Sequence, residues 1–235
     1  MTGSLFGLGV GPGDPELITL KALKILERTP VIAYPAPEVG ASMARAIAAP
    51  HIPVGRIEIP MRIPMTPGKF PAHSVYDYYA KEIETYLEKG RDVAVICEGD
   101  PFLYGSFMYL FTRLSERFSA EVVPGVSSLG ACAAVAGLPL VSRNQVLTVL
   151  PGPLSVEELE RHIKLSPAVA IMKVGRHLEK IRSVLERLNI LDYAQYIERA
   201  TMSNQQIMPL RDVGESEAPY FSMILVRHRE VDTGV

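Results

Sequence analysis

The sequence predicts an α/β fold of two α/β domains, with a mostly parallel sheet in the first domain and a mixed sheet in the second. Three observations predict it. Short apolar runs lead three times into a turn rich in Gly and Pro and then into a helical pattern. The turns are Gly7-Leu8-Gly9-Val10-Gly11-Pro12-Gly13-Asp14-Pro15, then Glu98-Gly99-Asp100-Pro101-Phe102-Leu103-Tyr104-Gly105 after Asp92–Cys97, then Pro124-Gly125-Val126-Ser127-Ser128 after Ala120–Val123. Strands alternating with helices in this way read as a parallel sheet. Towards the C-terminus, three strand-like segments follow at spacings too short for crossover helices, which points to antiparallel pairs. Finally, 48% of the 235 residues are hydrophobic, enough for the cores of two domains.

Taken in order, Leu5–Val10 reads as a buried strand and Pro15–Arg28 as an amphipathic helix with Leu17, Leu20, Leu23, Ile25 and Leu26 inward. Val31–Tyr34 is a strand, Ala41–Ala49 a helix and Arg56–Ile59 a strand. Pro60–Pro71, with four prolines and Gly68, reads as a long stiff loop. Ser74 caps a helix that runs to Lys89 and stops at Gly90. Strand Val93–Cys97, a helix from Ser106 to Glu116 and a small-residue helix from Ser127 to Ala136 follow. The first domain is expected at 1–122 and the second at 123–235, with Gly137-Leu138-Pro139-Leu140 opening a linker near 137–143. In the second domain the strands are Val146–Leu150, Ala168–Val174, Ala194–Ala200, Gln206–Met208 and Tyr220–Val226, with helices at Val156–Lys164 and His177–Leu188.

Several function classes are excluded. The net charge of −2 gives no electrostatic footprint for nucleic acid. The N-terminus lacks a basic region and cleavage site, and no apolar run reaches membrane-spanning length. Cys97 and Cys132 form no C-x-x-C motif and are expected as buried reduced thiols of a cytoplasmic protein. His51, His162, His177 and His228 show no metal-ligand spacing, so no metal site is expected. The first turn imitates a dinucleotide fingerprint, but a third glycine at the sixth position is required. Counting from Gly7 that position is Pro12, and from Gly9 it is Asp14. The ribose-binding acid is also missing after Val31-Ile32-Ala33-Tyr34-Pro35. Ligand crevices of open α/β sheets lie where parallel strands end, so the three turns predict one backbone-lined small-molecule site.

With these pieces in order, the chain resembles the class III tetrapyrrole methyltransferases, in which two α/β domains clasp S-adenosylmethionine in a cleft between them. The likeness runs nearly end to end. Its markers are Gly9-Val10-Gly11-Pro12-Gly13-Asp14-Pro15, Gly99-Asp100-Pro101, Val123-Pro124-Gly125-Val126-Ser127-Ser128 and the Gly137–Leu140 linker. Glu98–Ser106 with Met108-Tyr109-Leu110, and Glu198–Gln206, are similar to the branch that methylates C(20) of a precorrin-2-type ring. That ring is either metal-free precorrin-2 or its cobalt-containing counterpart, cobalt-factor II. A methylase acting on a macromolecule and an NAD-dependent oxidoreductase are the competing classes. Near-neutral charge argues against the first, and the failed glycine spacing against the second.

The resemblance implies S-adenosylmethionine as methyl donor, a small tetrapyrrole as substrate, and a homodimer without nucleic-acid or membrane partners. It places Pro12 on the floor of the cofactor site, Gly99 and Asp100 against the cofactor, and Leu103 on its far side. Asp100 is expected to pair with the methionine amino group or to accept a hydrogen bond, its rival role being N-cap of the next helix. Ser127 and Ser128 match positions that hydrogen-bond the cofactor, and either could instead cap a helix. Val174 and Ala200 match positions closing over the adenosyl group. Family members often carry Met at the first of these, so Val174 is a departure. Ser222 and Met223 are expected near the adenine. A sulfonium methyl is already activated, so alignment alone removes up to roughly 7–11 kcal/mol in favourable cases. Tyr34, Tyr104 and His73 are the candidates for the proton-accepting base. The substrate's eight carboxylates call for donors round a wide trough, and Arg62, Lys69 and Arg143 are the candidates.

Overall fold

The computed structural model describes residues 2–64, 73–214 and 218–227. Lys69, His228 and residues 65–71 of the proline-rich segment lie outside them. The chain divides into two compact units, Met1–Ser128 and Leu129–Val235.

The strands of the first unit are β1 (Leu5–Gly9), β2 (Val31–Ala36), β3 (Ile57–Arg62), β4 (Val93–Cys97) and β5 (Ala120–Val123). They form one sheet in the order β3-β2-β4-β1-β5, with every neighbouring pair parallel. Its helices are α1 (Leu20–Arg28), α2 (Met43–Ala48), α3 (His73–Glu88) and α4 (Phe107–Leu114). Alternate strand residues feed two cores. Phe6, Leu8, Ile32, Ala94 and Ile96 pack with α1 and α2. Leu5, Val31, Ala33, Val93, Val95 and Cys97 pack with α3 and α4. A central parallel strand is therefore apolar on both faces, which is why β1 and β4 read as unbroken hydrophobic runs. The chain leaves β1 over one face of the sheet and β4 over the other. These two strands are neighbours, so the topological switch point falls between their C-terminal ends.

Three details depart from the sequence reading. The helix expected over Pro15–Arg28 is a 3₁₀ turn at Pro15–Leu17 followed by α1. Thr19 is the reason, because its hydroxyl accepts from the Ala22 amide at 3.2 Å and starts the helix afresh. Leu20 is thereby exposed, and Ala22, Ile25 and Leu26 form the inner face. The strand expected to stop at Ile59 continues through Pro60 to Arg62. It is the outer strand, where a missing N–H costs no ladder bond. Helix α3 begins at His73 rather than being capped by Ser74.

The second unit contains α5, which begins at the unit boundary (Ser128–Val135), then β6 (Leu147–Pro151), α6 (Val156–Leu165), β7 (Ala168–Met172), α7 (Leu178–Arg187), β8 (Ala194–Glu198), β9 (Gln206–Pro209) and β10 (Ser222–Arg227). The sheet order is β6-β7-β10-β8-β9. Only β6 and β7 run parallel, so this sheet is mixed, as the short strand spacings predict. Helix α6 opens with a reciprocal capping box between Ser155 and Glu158. Helices α6 and α7 pack on one face, and Cys132 of α5 joins Ala170, Ile197, Met223 and Leu225 on the other.

Two glycines test this packing. A Cβ on Gly7 would stand 2.3 Å from the Phe107 ring, whereas one on Gly130, inside α5, would meet nothing within 4 Å. Gly7→Ala is expected to destabilise by about 1–3 kcal/mol through overpacking. Gly130→Ala is expected to stabilise by about 0.5–1 kcal/mol, the ordinary helical gain. Denaturant melts of the two variants check both.

Candidate active site

The three turns meet at the C-terminal ends of β1, β4 and β5. The Val10 amide donates to the Cys97 carbonyl at 2.9 Å, carrying the β1–β4 pairing past the strand ends. Gly11 and Gly99 then form a small antiparallel bridge, the Gly99 amide donating to the Gly11 carbonyl at 2.7 Å. Both have left-handed backbones, with φ of +80° and +62°, a conformation glycine adopts without strain. Gly9 and Gly125 meet backbone to backbone. A Cβ on Gly9 would lie 2.5 Å from Gly125 Cα, and one on Gly125 would lie 2.1 Å from the Gly99 carbonyl oxygen. The floor at the switch point is thus built of main chain, with Pro12 buried beside it.

Asp100 fastens two of these turns together. Its Oδ1 accepts from the amides of Phe102 and Leu103 at 2.9 and 3.1 Å, and its Oδ2 accepts from the Gly125 amide at 3.1 Å. Helix α4 does not start until Phe107, with Ser106 in the N-cap position, so Asp100 is not its cap. The 101–105 turn folds tightly: Tyr104 is left-handed at φ +56°, and a Cβ on Gly105 would lie 2.3 Å from the Pro101 carbonyl. Phe102, Leu103 and Tyr104 are exposed on it, and the Phe102 ring is anchored against Phe107 and Phe111. Ser127 and Ser128 are partly buried, and the Ser128 amide lies beside Gly99. Pro12, Gly99, Asp100, Ser127 and Ser128 therefore share the turns that the glycine contacts draw together, and Leu103 rides on the turn that Asp100 holds.

Glu98 ties the end of β4 to α2. Its Oε1 accepts from the Ala44 amide at 3.1 Å, and burial raises its carboxyl above the usual range. Burial, helped by the Glu98 charge, pushes the neighbouring Cys97 thiol to about 12, and burial does the same to Cys132. Both thiols are unreactive at neutral pH.

A polar network that the sequence did not disclose lies on the same side of the first sheet. The Tyr34 hydroxyl donates to Glu58 at 2.8 Å, and Arg45 grips the same carboxylate through Nε at 2.9 Å and Nη2 at 3.0 Å. The Arg45 hydrogen bond holds the Glu58 carboxyl below its ordinary value. Burial, followed by Glu58, raises the Tyr34 hydroxyl. A cavity of about 280 Å³ opens beside the network, with Tyr34, Ser42, Arg45 and Arg62 among its walls. Arg62 donates to the carbonyls of Pro37 and Gly40, and its own amide receives the Tyr79 hydroxyl as acceptor at 2.8 Å. The available sequence signal is the alternation Glu58-Pro60-Arg62 against Ile57-Ile59-Met61, one polar and one apolar face of an outer strand. His73 packs edge-on against Tyr109 instead, and its carbonyl accepts from Arg113.

In the second unit, four predicted positions, Val174, Ala200, Ser222 and Met223, lie at or just beyond one end of the strands β7, β8 and β10, since Met172 lies opposite Met223 and Glu198 opposite Ser222. Val174 is buried and its carbonyl accepts from the His177 amide at 2.7 Å. Ala200 is buried between left-handed Arg199 and Thr201. Glu198 is held there by the Tyr196 hydroxyl at 2.9 Å and by the Arg199 guanidinium. Ser222 donates to the Pro219 carbonyl, and Met223 is buried in one cluster with Ala200. Arg143 is exposed, at φ +44°. Among the described residues no three His, Cys, Asp or Glu side chains group to hold a metal, and no helix is long and apolar enough to cross a membrane.

Comparison with known proteins settles the family. The model of the tetrapyrrole (corrin/porphyrin) methylases matches residues 4–213. The chain belongs to this family. It is 43% identical to a precorrin-2 C(20)-methyltransferase of Sinorhizobium over 95% of each chain. It is 30% identical to the cobalt-precorrin-2 C(20)-methyltransferase of Salmonella typhimurium, over 96% of this chain and 97% of that one. It is also 42% identical to the cobalamin biosynthesis protein CobIJ of Mycobacterium tuberculosis, across 99% of this chain but 48% of that protein. The chain therefore spans about half the length of these CobIJ relatives. Among solved structures, a cobalt precorrin-4 methyltransferase superposes with a TM-score of 0.76 at 23% identity, covering 95% of this chain and 94% of the other. These neighbours confirm the fold of two α/β units.

Two outcomes follow for the site. Asp100→Ala strands three amides and is expected to cost about 1–3 kcal/mol in stability. Asp100→Asn, which keeps one acceptor oxygen, should cost less, and parallel chemical melts check the order. For Glu58, a lowered folded-state pKa stabilises the fold at high pH. That contribution is lost as pH falls through the folded value. Wild type should lose melting temperature more steeply than Glu58→Gln between about pH 5 and pH 3, around the usual carboxylate value. Equal slopes would remove Glu58 from the acid response.

Proposed function

We propose that the protein transfers a methyl group from S-adenosylmethionine to C(20) of metal-free precorrin-2, giving precorrin-3A and S-adenosylhomocysteine, in cobalamin biosynthesis. The observation that carries this reading is the match to the Sinorhizobium enzyme at 43% identity over 95% of both chains. Relatives named for the cobalt-containing substrate stand lower, at 30% and 32%, which favours the metal-free ring.

The residues at the switch point fit such a donor. The floor of glycine backbone leaves no side chain where Gly9, Gly99 and Gly125 meet. Its amides and carbonyls suit an adenosyl-sulfur compound, which has no phosphate to be held by a helix N-terminus. A solved uroporphyrin-III C-methyltransferase of Thermus thermophilus with the same fold, TM-score 0.69, was determined with S-adenosylhomocysteine. When bound, the donor supplies an activated sulfonium methyl. Pro12, Gly99, Asp100, Leu103, Ser127 and Ser128 are the residues we assign to hold it from the first unit, with Val174 and Ala200 from the second. Asp100 acts chiefly by shaping the turn, because three backbone amides already occupy its oxygens. Tyr34 stays protonated at neutral pH, since burial and Glu58 raise its hydroxyl, and so serves as a polar wall rather than as the base. Tyr104 and His73 remain the candidates for that role. In this reading the protein works as a cytoplasmic homodimer. Arg62, Lys69 and Arg143 receive the substrate carboxylates.

Incubation with S-adenosylmethionine and precorrin-2 should yield a product one methyl heavier, labelled at C(20) by carbon NMR. Label at another carbon, or turnover with cobalt-factor II alone, would defeat the assignment within the family. Binding of NAD without S-adenosylhomocysteine, measured by calorimetry, would defeat the methyltransferase reading itself.

A further inference from the structure

The cavity at the C-terminal ends of β2 and β3 carries an unbalanced charge. Tyr34, Ser42, Arg45, Ala46, Pro60 and Arg62 contribute to its walls. Two of these are arginines, and one carboxylate, Glu58, answers them. Arg45 gives Nε and one N–H of Nη2 to Glu58, and keeps the second N–H of Nη2 and both of Nη1 as donors. Arg62 uses Nη1 on the Pro37 and Gly40 carbonyls, which fixes the guanidinium without neutralising it. Among the described residues no carboxylate lies within ion-pairing distance of Arg62. Counting Arg45, Arg62 and Glu58, the group keeps one net positive charge beside a hollow. Ser42 cannot answer it, because its hydroxyl donates to the Pro35 carbonyl and accepts from the Arg45 amide. The hydroxyl of Tyr34 is likewise turned to Glu58. An anion with planar acceptor oxygens is the partner that an arginine fork matches best.

Size agrees with that chemistry. At about 280 Å³, and open to solvent, the cavity has room for a short carboxylate arm. Resting on the tetrapyrrole reading above, we propose that this cavity receives one acetate or propionate arm of the substrate. Arg62 supplies the charge, and the Glu58–Arg45–Tyr34 network positions the wall that faces it. The cavity lies at the same sheet edge as the glycine floor, because the C-terminal ends of all five parallel strands point that way. Seating one arm at the end of β2 and β3 fixes the rotation of the ring about its own axis. That rotation decides which bridging carbon is presented at the switch point.

Three variants test this: Arg62→Met removes the charge, Arg62→Lys keeps it, and Ala46→Leu narrows the hollow from an exposed helix position without touching a side-chain hydrogen bond. Each is assayed for KM and kcat with precorrin-2 and for S-adenosylhomocysteine affinity by calorimetry. Arg62→Met should raise KM about tenfold or more, the usual effect of losing a charge-assisted hydrogen bond. Its S-adenosylhomocysteine affinity should stay near wild type. Arg62→Lys should recover most of the loss, and Ala46→Leu should raise KM several-fold. Wild-type KM in both Arg62→Met and Ala46→Leu would overturn the proposal; if Arg62→Met fails to fold, Ala46→Leu decides alone. A fall in S-adenosylhomocysteine affinity at unchanged KM would overturn it too, and would assign the cavity to the donor's own carboxylate. Failure of wild type to methylate any tetrapyrrole would instead remove the functional reading before a variant is compared.

Discussion

The first unit depends on three main-chain segments coming closer than any side chain allows. Gly9, Gly99 and Gly125 touch through backbone atoms, with no room for a Cβ on Gly9 or Gly125. This contact sets the distance between the ends of β1, β4 and β5, and hence the shape of the crevice that the strand order creates. Ordinary packing energy cannot substitute for it. A single methyl group there meets main-chain atoms, which cannot rotate away as a side chain would, so the turns themselves would have to move. The Gly11–Gly99 bridge and the three hydrogen bonds to Asp100 then hold the segments in that contact.

Charge is handled differently at the two sides of this region. Near the glycines the partly buried Glu98 carboxyl is raised by its surroundings, and its one amide partner belongs to α2. Beneath the cavity the Glu58 carboxyl is lowered, because Arg45 meets it with two donors. Helix α2 connects them, taking Glu98 at its first turn and offering Arg45 one residue later. Six residues long, it would be marginal alone. It is kept by Ser42 at its cap and by Ala44, Ile47 and Ala48 packed on the sheet. Movement of this short helix would therefore be felt at both carboxylates.

Much of the fold was legible in the chain because its signals are local. Strand, turn and helix follow one another within a few residues at all three glycine motifs, and the mixed character of the second sheet follows from short connections. Element ends were legible only where a cap or a breaker marks them. Thr19 restarts a helix inside an apparently continuous apolar pattern, and Pro60 was read as a stop although an outer strand tolerates it. The turns of the candidate site were visible for the same local reason. The Tyr34–Glu58–Arg45 network was not, since its members come from β2, β3 and α2 and meet only through parallel pairing and helix placement. Asp100 was found, but its occupation by backbone amides is a property of folded geometry that spacing does not encode.

Pro60 has one more effect. Among the described residues β3 has a strand neighbour on one side only, so its outer edge offers backbone groups that no strand pairs, although Tyr79 takes the Arg62 amide. Such an edge is a template on which a second molecule's strand can dock and start an aggregate. A proline removes one donor from that row, and Glu58 and Arg62 place charges on either side of it. The strand that walls a cavity on one face thus also protects itself against self-association, and solubility at high concentration becomes a property of the same six residues.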